Sequence, residues 1–211
     1  MEPRGRSRVE PVVMTAAAPA PRRARPGELD DLTLRRAQAG DEAAFRALVA
    51  RYQRPIWDLC WRMVAPVGLG HRADDLTQDA FVRVYRALPE FDPRGPARLS
   101  TWIFTIATRL ALNELRRARP EPADADELEL ATPVASPRQA HERAQLGERI
   151  AAAVGRLPSG ARAVLLLRDV FDLDYDDIAS ALAIDLGTVK SRLSRARAAV
   201  RAQLAAEGVT P

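Results

Sequence analysis

The sequence has few of the residue types on which many catalytic and metal sites depend. Cys60 is the only cysteine, and there are two histidines among 211 residues. One cysteine excludes an internal disulfide and a zinc site built from several cysteines, and it fits a reducing compartment. Because no cluster of catalytic residue types is evident, we predict no catalytic residue, no bound metal and no cofactor.

Long apolar segments are also lacking. No uninterrupted apolar run approaches the roughly 20 residues that span a bilayer. The alanine-rich stretch near the N terminus is interrupted by Pro11, Pro19 and Pro21. We therefore predict neither a signal peptide nor direct insertion into a membrane, and we expect a cytoplasmic protein.

Positive charge is present but unevenly placed. The chain carries a formal net charge of +4, and its basic residues are arginines except for Lys190. Residues 1–27 contain six arginines and two glutamates, which account for that whole net charge. The remainder is neutral overall, so any argument for nucleic-acid binding depends on local clusters.

Hydrophobic periodicity predicts an all-α protein with two domains. Residues 1–27, rich in proline, arginine and alanine, are expected to form a disordered tail, or else to reflect a wrongly assigned start codon. Helical spacing extends over 28–118, an N-terminal helical bundle, and again over 140–206. The acidic, proline-rich segment 119–139 is predicted to be a flexible linker between the two domains.

Helix boundaries in the first domain are indicated by capping residues. Asp41 is expected to begin a long helix, a second helix should occupy 73–88, and Ser100 or Thr101 should cap a third. The long helix has one predicted buried face: Phe45, Leu48, Val49, Tyr52, Ile56, Leu59, Cys60 and Met63.

Residues 175–201 have the pattern of a helix-turn-helix. Ile178, Ala179 and Leu182 are expected to face inward from the first helix, and Asp185 is expected to cap the second. From 187 to 201 there are five basic residues and no acidic one. Such a helix is suited to the major groove of DNA; the alternative is an arginine-rich face that is merely solvated.

Five aspartates lie just before or within this motif: Asp169, Asp172, Asp174, Asp176 and Asp177. A metal site is one interpretation of such a cluster. Turn formation and helix N-terminal capping explain most of it better, because aspartate stabilises both.

Several segments resemble the extracytoplasmic-function (ECF) family of RNA polymerase sigma factors. LDYDDIA at 173–179 and GTVKSRLSRAR at 187–197 are similar to the fourth sigma domain. The second sigma domain is resembled by DDLTQDAF at 74–81, VYRAL at 84–88, STWIFTIA at 100–107 and NELRR at 113–117. The resemblance extends over about 28–204, and a short linker replaces the third domain, which is typical of the ECF group.

The resemblance implies roles for three groups of residues. Contacts to the clamp helices of core RNA polymerase fall on Asp75, Gln78, Asp79 and Phe81. Binding and opening of the −10 promoter element fall on Arg94, Arg98, Trp102, Arg109, Arg116 and Arg117. Recognition of the −35 element falls on Thr188, Lys190, Ser191, Ser194, Arg195 and Arg197.

Physical chemistry supports parts of this assignment. Flipped bases need stacking and hydrogen-bonding partners, and single strands need positive charge, which an aromatic residue and arginines supply. Trp102 has an alternative place in the core, since it lies near Ile103, Ile106 and Leu110. Position 109 is arginine where relatives commonly have asparagine, and the loop before Trp102 is longer than in many of them.

The implied partners are core RNA polymerase, including its flap region, promoter DNA, and in many relatives an anti-sigma factor. By the same resemblance the acidic linker follows the polymerase channel later used by RNA; a solvated spacer is the alternative. The rival hypothesis is a stand-alone two-domain helix-turn-helix regulator that binds an operator without polymerase. A nucleic-acid enzyme is disfavoured by the lack of a catalytic cluster.

Overall fold

The computed structural model describes residues 27–118 and 142–209, with side chains of the second range from 146 onward. The predicted tail and linker lie outside the described residues. Regular structure within those ranges is entirely helical, as predicted. The first domain contains α1 (Asp31–Gln38), α2 (Glu42–Val64), α3 (Ala73–Ala87) and α4 (Leu99–Ala118), and the second contains α5 (Glu142–Gly155), α6 (Ser159–Leu165), α7 (Tyr175–Leu182) and α8 (Leu186–Ala206).

Capping chemistry fixes where the first two helices begin. The Asp41 carboxylate accepts hydrogen bonds from the backbone N–H groups of Ala43 and Ala44, as expected for the start of α2. Helix α1, which we did not predict, begins in the same way: Asp30 accepts from the N–H of Thr33. Only Leu34 and Ala37 of this short helix are buried, so its sequence shows little apolar periodicity.

The first domain packs α2, α3 and α4 around one apolar core. The predicted face of α2 is confirmed: Leu48, Tyr52, Ile56, Leu59, Cys60 and Met63 are fully buried, with Phe45 and Val49 partly buried against them. Burial raises the pKa of the Cys60 thiol to about 12, so this cysteine is an unreactive core residue.

The expected cap of α4 is wrong. The helix begins at Leu99, so Ser100 and Thr101 lie inside its first turn. Their hydroxyls bind elsewhere instead: Ser100 donates to Glu28, and Thr101 donates to Asp177 of the second domain. Tertiary partners therefore take the hydroxyls that local reasoning assigned to a cap.

The second domain ends in the predicted helix-turn-helix. Helix α6 continues into a π-helical segment, Leu166–Val170, before the turn that leads to α7. Ile178, Val189, Leu193 and Ala196 are buried between α7, α8 and α6. Asp185 caps α8, as predicted.

The two domains share a continuous core. The rings of Phe104 on α4 and Phe171 before α7 lie 4.8 Å apart between centroids, and both residues are fully buried. Helix α4 therefore contacts its own domain on one side and α7 on the other.

We predict that Ala183→Gly stabilises the protein by about 1 kcal/mol. Ala183 ends α7 with φ 54°, a left-handed conformation that costs an L-residue with a Cβ atom about that much and glycine almost nothing. Urea denaturation followed by far-ultraviolet circular dichroism measures the change. The matched control, Ala198→Gly on the exposed face of α8, should destabilise by about 1 kcal/mol, because the residue lies in a helix interior. Equal destabilisation by both variants would contradict the argument.

Candidate nucleic-acid interface

Helix α8 presents an exposed basic face opposite its buried stripe. Lys190, Ser191, Ser194 and Arg195 are exposed, whereas Val189, Leu193 and Ala196 are buried. This alternation results from the 3.6-residue period of the helix. Four of the six residues predicted for the −35 element therefore share an accessible surface.

Thr188 has a structural role at the start of α8. Its backbone N–H donates to Asp185 at 2.7 Å, and its hydroxyl donates to the same carboxylate at 2.6 Å. These two hydrogen bonds lower the pKa of Asp185, the hydroxyl contributing most. The predicted contact of Thr188 with DNA would have to compete with this cap.

Arg197 is paired within the protein. Its guanidinium donates two hydrogen bonds to the Asp169 carboxylate, Nε at 3.0 Å and a terminal nitrogen at 2.5 Å, and this pairing raises the pKa of Arg197. Both side chains are partly exposed, so the pair holds the arginine in place more than it stabilises the fold.

A shallow basic pocket extends this surface toward the C terminus of α8. Its volume is about 280 Å³, and its lining consists of Tyr175, Lys190, Leu193, Ser194, Arg197 and Arg201. Sequence reasoning missed Arg201 as a site residue. Its spacing of four from Arg197 places both on one helix face and could have revealed it.

The loop before α4 brings three predicted residues to one end of the first domain. Arg94 and Arg98 are exposed, and the Asp92 carboxylate accepts a hydrogen bond from the Arg94 backbone N–H at 2.8 Å. Trp102 is half-buried, with its ring centroid 5.0 Å from that of Phe91. One part of the Trp102 side chain therefore packs against Phe91, and another part stays accessible to solvent.

The remaining predicted −10 residues lie apart from this group. Arg116 and Arg117 are exposed in the last turn of α4, about 20 Å along the helix axis from Trp102. Arg109, between them, donates hydrogen bonds to the backbone carbonyls of Ala181 and Ser180 at 2.9 and 3.1 Å. Its guanidinium is therefore directed at the second domain.

Helix α3 carries a polar surface next to exposed apolar side chains. Asp75, Gln78 and Asp79 are exposed, as predicted, and Arg72 donates to Asp75 at 2.6 Å. Phe81 is only 8% exposed, and its ring belongs to the core. Val82 and Tyr85, which we did not predict, are 41% and 53% exposed. Val82, one position after Phe81, could be placed outside from helical period, but Tyr85, four positions after Phe81, could not.

Four of the five aspartates around the helix-turn-helix have hydrogen-bonding or ion-pair partners within the protein. Asp169 binds Arg197, Asp172 and Asp174 lie within ion-pair distance of Arg168, and Asp177 binds Thr101. Among the described residues, no group of three or more histidine, cysteine, aspartate or glutamate side chains is arranged to hold a metal ion. No helix in the described ranges has the length and apolar character needed to cross a membrane.

Two helical domains, the second ending in a basic helix-turn-helix, define a class of DNA-binding proteins. Comparison with known proteins identifies the family within that class. The family description "Sigma-70 region 2" matches residues 48–121, and "Sigma-70, region 4" matches residues 147–200. The first match begins within α2 and includes α3 and α4, and the second extends from within α5 into α8.

Curated relatives match along most of their length. RNA polymerase sigma-H factor of Pseudomonas aeruginosa is 36% identical over 183 residues, which cover 82% of this chain and 92% of the relative. ECF RNA polymerase sigma factor SigW of Bacillus subtilis is 32% identical, covering 81% and 94%. ECF RNA polymerase sigma-E factor of Escherichia coli is 33% identical, covering 81% and 92%.

Solved structures give the same fold. CnrH, in complex with the cytosolic domain of CnrY, is 25% identical with a TM-score of 0.59, covering 83% of this chain and 96% of that one. The sigma factor RpoE of Bartonella quintana, in complex with the anti-sigma factor NepR, is 22% identical with a TM-score of 0.58, covering 76% and 96%. The chain belongs to the extracytoplasmic-function family of RNA polymerase sigma factors.

We predict that Asp185→Ala destabilises the protein near neutral pH and that this difference shrinks in acid. The pKa of Asp185 is lowered below its ordinary value of 3.8 in the folded protein, so its stabilisation is present above that pH and is lost as the pH falls through the lower, folded value. Urea denaturation across this pH range measures it. In Asp185→Asn, whose amide oxygen still caps α8, the residue carries no titrating charge. A wild-type advantage over Asp185→Ala that stays constant into acid would contradict the prediction.

Proposed function

We propose that this chain binds core RNA polymerase and directs it to promoters, opening the −10 element with its first domain and recognising the −35 element with its second. The observation that carries this proposal is the exposed basic face of α8, joined in one chain to a first domain with the sigma region 2 pattern. The chain would act by binding, with no catalysis of its own, in the cytoplasm. We place the domains at 28–118 and 140–206, with 1–27 as a tail and 119–139 as the linker.

The second domain would dock α8 in the major groove. Lys190 and Arg195 would contact base edges or phosphates, Ser191 and Ser194 would add hydrogen bonds, and Arg201 would extend the phosphate contacts. Thr188 would mainly hold the start of α8, because its hydroxyl already binds Asp185. Arg197 would mainly balance the adjacent charge of Asp169, with which it is already paired.

The first domain would bind single-stranded promoter DNA at the loop before α4. Arg94 and Arg98 supply positive charge, and the accessible part of Trp102 supplies an aromatic surface for stacking. Arg116 and Arg117 lie too far from this group to share one nucleotide pocket, so we assign them to backbone contacts with neighbouring DNA.

The exposed face of α3 would contact the clamp helices of core polymerase. Asp75, Gln78 and Asp79 supply the polar part, and we replace Phe81, a core residue, with Val82 and Tyr85 as its apolar part. The Tyr85 ring packs edge to face with that of Phe45, with centroids 4.9 Å apart, so it is held in place at the surface. The second domain would contact the flap region.

An anti-sigma factor is a further proposed partner. RpoE of Bartonella quintana is described in complex with the anti-sigma factor NepR, and CnrH in complex with the cytosolic domain of CnrY. This supports a protein partner for the present chain. The rival hypothesis of a stand-alone regulator predicts operator binding without polymerase, and membership of the sigma family favours the polymerase-dependent function.

We predict that replacing both Lys190 and Arg195 with alanine abolishes promoter-specific transcription while core binding persists. The two exposed charges lie on the proposed DNA face, and losing phosphate contacts also makes the binding of the chain to DNA less sensitive to salt. In vitro transcription with core polymerase and a genomic promoter library measures promoter use, and native gel electrophoresis measures core binding.

The control for that variant removes the same charge elsewhere, at Arg35 and Arg46, which are exposed on α1 and α2. It should leave promoter use unchanged. Loss of core binding in the Lys190 and Arg195 variant would mean that the roles are assigned to the wrong domains. Failure of the folded wild-type chain to form open complexes on any promoter would overturn the proposed function.

We predict that Tyr85→Ala weakens core binding by about tenfold, since an exposed aromatic at the centre of an interface commonly contributes 1–2 kcal/mol. Stability should change little, because the ring is 53% exposed. The control is Leu32→Ala, which removes a 61% exposed apolar side chain from α1. Titration of a fluorescently labelled chain with core polymerase compares them. Equal affinities of wild type and Tyr85→Ala would remove α3 from the proposed interface.

A further inference from the structure

The loop between α3 and α4 is held at both ends by side chains from the start of the first domain. At its beginning, the Gln38 side-chain amide donates to the backbone carbonyls of Leu88 and Phe91 at 3.1 and 2.7 Å. At its end, the Glu28 carboxylate accepts hydrogen bonds from the hydroxyl and the backbone N–H of Ser100. We call Glu28 and Gln38 the loop anchors.

Glu28 caps α4 from a position 72 residues earlier in the chain. Ser100 lies in the first turn of that helix, where backbone N–H groups have no acceptor within the helix. A carboxylate placed there accepts from such a group and is favoured by the partial positive charge of the helix N terminus. The hydroxyl of Tyr52, a fully buried residue of α2, lies 3.5 Å from the same carboxylate. Burial and, after it, the charge of Glu28 raise the pKa of Tyr52, so this hydroxyl remains a donor to the anchor.

Gln38 acts on the opposite end of the loop. It is the last residue of α1, and its hydrogen bonds fix the backbone on both sides of the turn from α3 into the loop. The ring of Phe91 in turn packs against that of Trp102, with centroids 5.0 Å apart. The two anchors therefore act on Trp102 from two directions, through its ring neighbour and through the start of its helix.

The loop has little else to hold it in place. None of the side chains of residues 92–98 is buried. Asp92 forms a turn within the loop, accepting from the N–H of Arg94 at 2.8 Å and from the N–H of Gly95 at 3.1 Å. Without apolar burial, the place of the loop on the domain depends on the contacts at its ends. A loop that is already ordered loses less conformational entropy when it binds a partner.

We propose that Glu28 and Gln38 are positioning residues for the −10 element. They order the loop and the start of α4 before DNA binds, so that Arg94, Arg98 and Trp102 meet the single strand in one arrangement. The inference rests on the proposed function, which assigns those three residues to single-stranded promoter DNA. Neither anchor contacts the DNA; each acts through the backbone that it holds.

The first test measures the order of the loop in the free chain by hydrogen–deuterium exchange and mass spectrometry. Glu28→Ala should speed amide exchange by about tenfold in the first turn of α4, because it removes a charged hydrogen-bond acceptor. Gln38→Glu keeps the size of the side chain and removes its donors, and it should speed exchange around Phe91. Peptides from α2 should exchange as in the wild type. Unchanged exchange at the loop and at the start of α4 in both variants would overturn the proposal.

Matched controls repeat each change at an exposed position. Asp31→Ala on α1 removes the same charge as Glu28→Ala, and Gln53→Glu on α2 repeats the second substitution. Both should exchange as the wild type does. Glu28→Gln keeps an oxygen that accepts from Ser100, so it should recover most of the protection that Glu28→Ala loses. If Asp31→Ala and Glu28→Ala speed exchange equally, the effect is one of net charge and the anchors are wrong.

The second test separates two steps of promoter opening by the holoenzyme formed with core polymerase. The promoter is one selected with the wild-type chain from a genomic library. Lag times of abortive initiation at several holoenzyme concentrations give the equilibrium constant of the closed complex and the rate constant of opening. Glu28→Ala and Gln38→Glu should each lower the rate constant by about tenfold and leave the equilibrium constant unchanged, because the loop binds only the single strand.

This split distinguishes positioning from a loss of folded protein. Partial unfolding would lower the concentration of active holoenzyme and leave the rate constant of opening unchanged, and that result would refute the positioning role. Glu28→Gln should open the promoter at close to the wild-type rate. The proposed function fails separately: it is wrong if the wild-type chain opens no promoter with core polymerase, whatever the exchange experiments show.

Discussion

The burial of α4 on two sides is the constraint on which the rest of the structure depends. One side of the helix completes the core of the first domain with α2 and α3, and another packs on α7, where Phe104 meets Phe171. Dense packing of this kind leaves few alternatives for the side chains involved. The positions of Thr101 and Arg109, whose side chains donate to α7, and the partial exposure of Trp102 at the helix start, all follow from how α4 is held.

The two domains present surfaces of different chemistry. Helix α8 has an exposed basic face although the domain around it is rich in aspartate, because Asp169 pairs with Arg197 and Asp185 caps the helix. Helix α3 presents acids and an exposed tyrosine instead. A chain with these two unlike surfaces is suited to bind a protein with one and DNA with the other.

Elements with a clear periodic pattern and a good cap were predictable. Asp41 and Asp185 begin α2 and α8 as expected, and the buried face of α2 was identified residue by residue. The prediction failed where the pattern was short, as in α1, or where one side chain had two possible partners, as for Ser100 and Thr101. Among site residues, the exposure of Lys190 and Arg195 follows from helical period, whereas the partners of Arg197 and Arg109 lie 28 and about 70 positions away in the chain.

The sequence by itself determined the helical class, the two-domain order, the basic helix and the family resemblance. These depend on local periodicity, capping and motif spacing, which neighbouring residues fix. Only the tertiary structure decided that Phe81 belongs to the core, that Tyr85 is exposed, and that Arg109 and Arg162 each bind a helix end in the other domain. Such contacts join segments that are distant in the chain. Every residue has a backbone carbonyl that can accept a hydrogen bond, so the acceptor of such a contact cannot be recognised in the sequence.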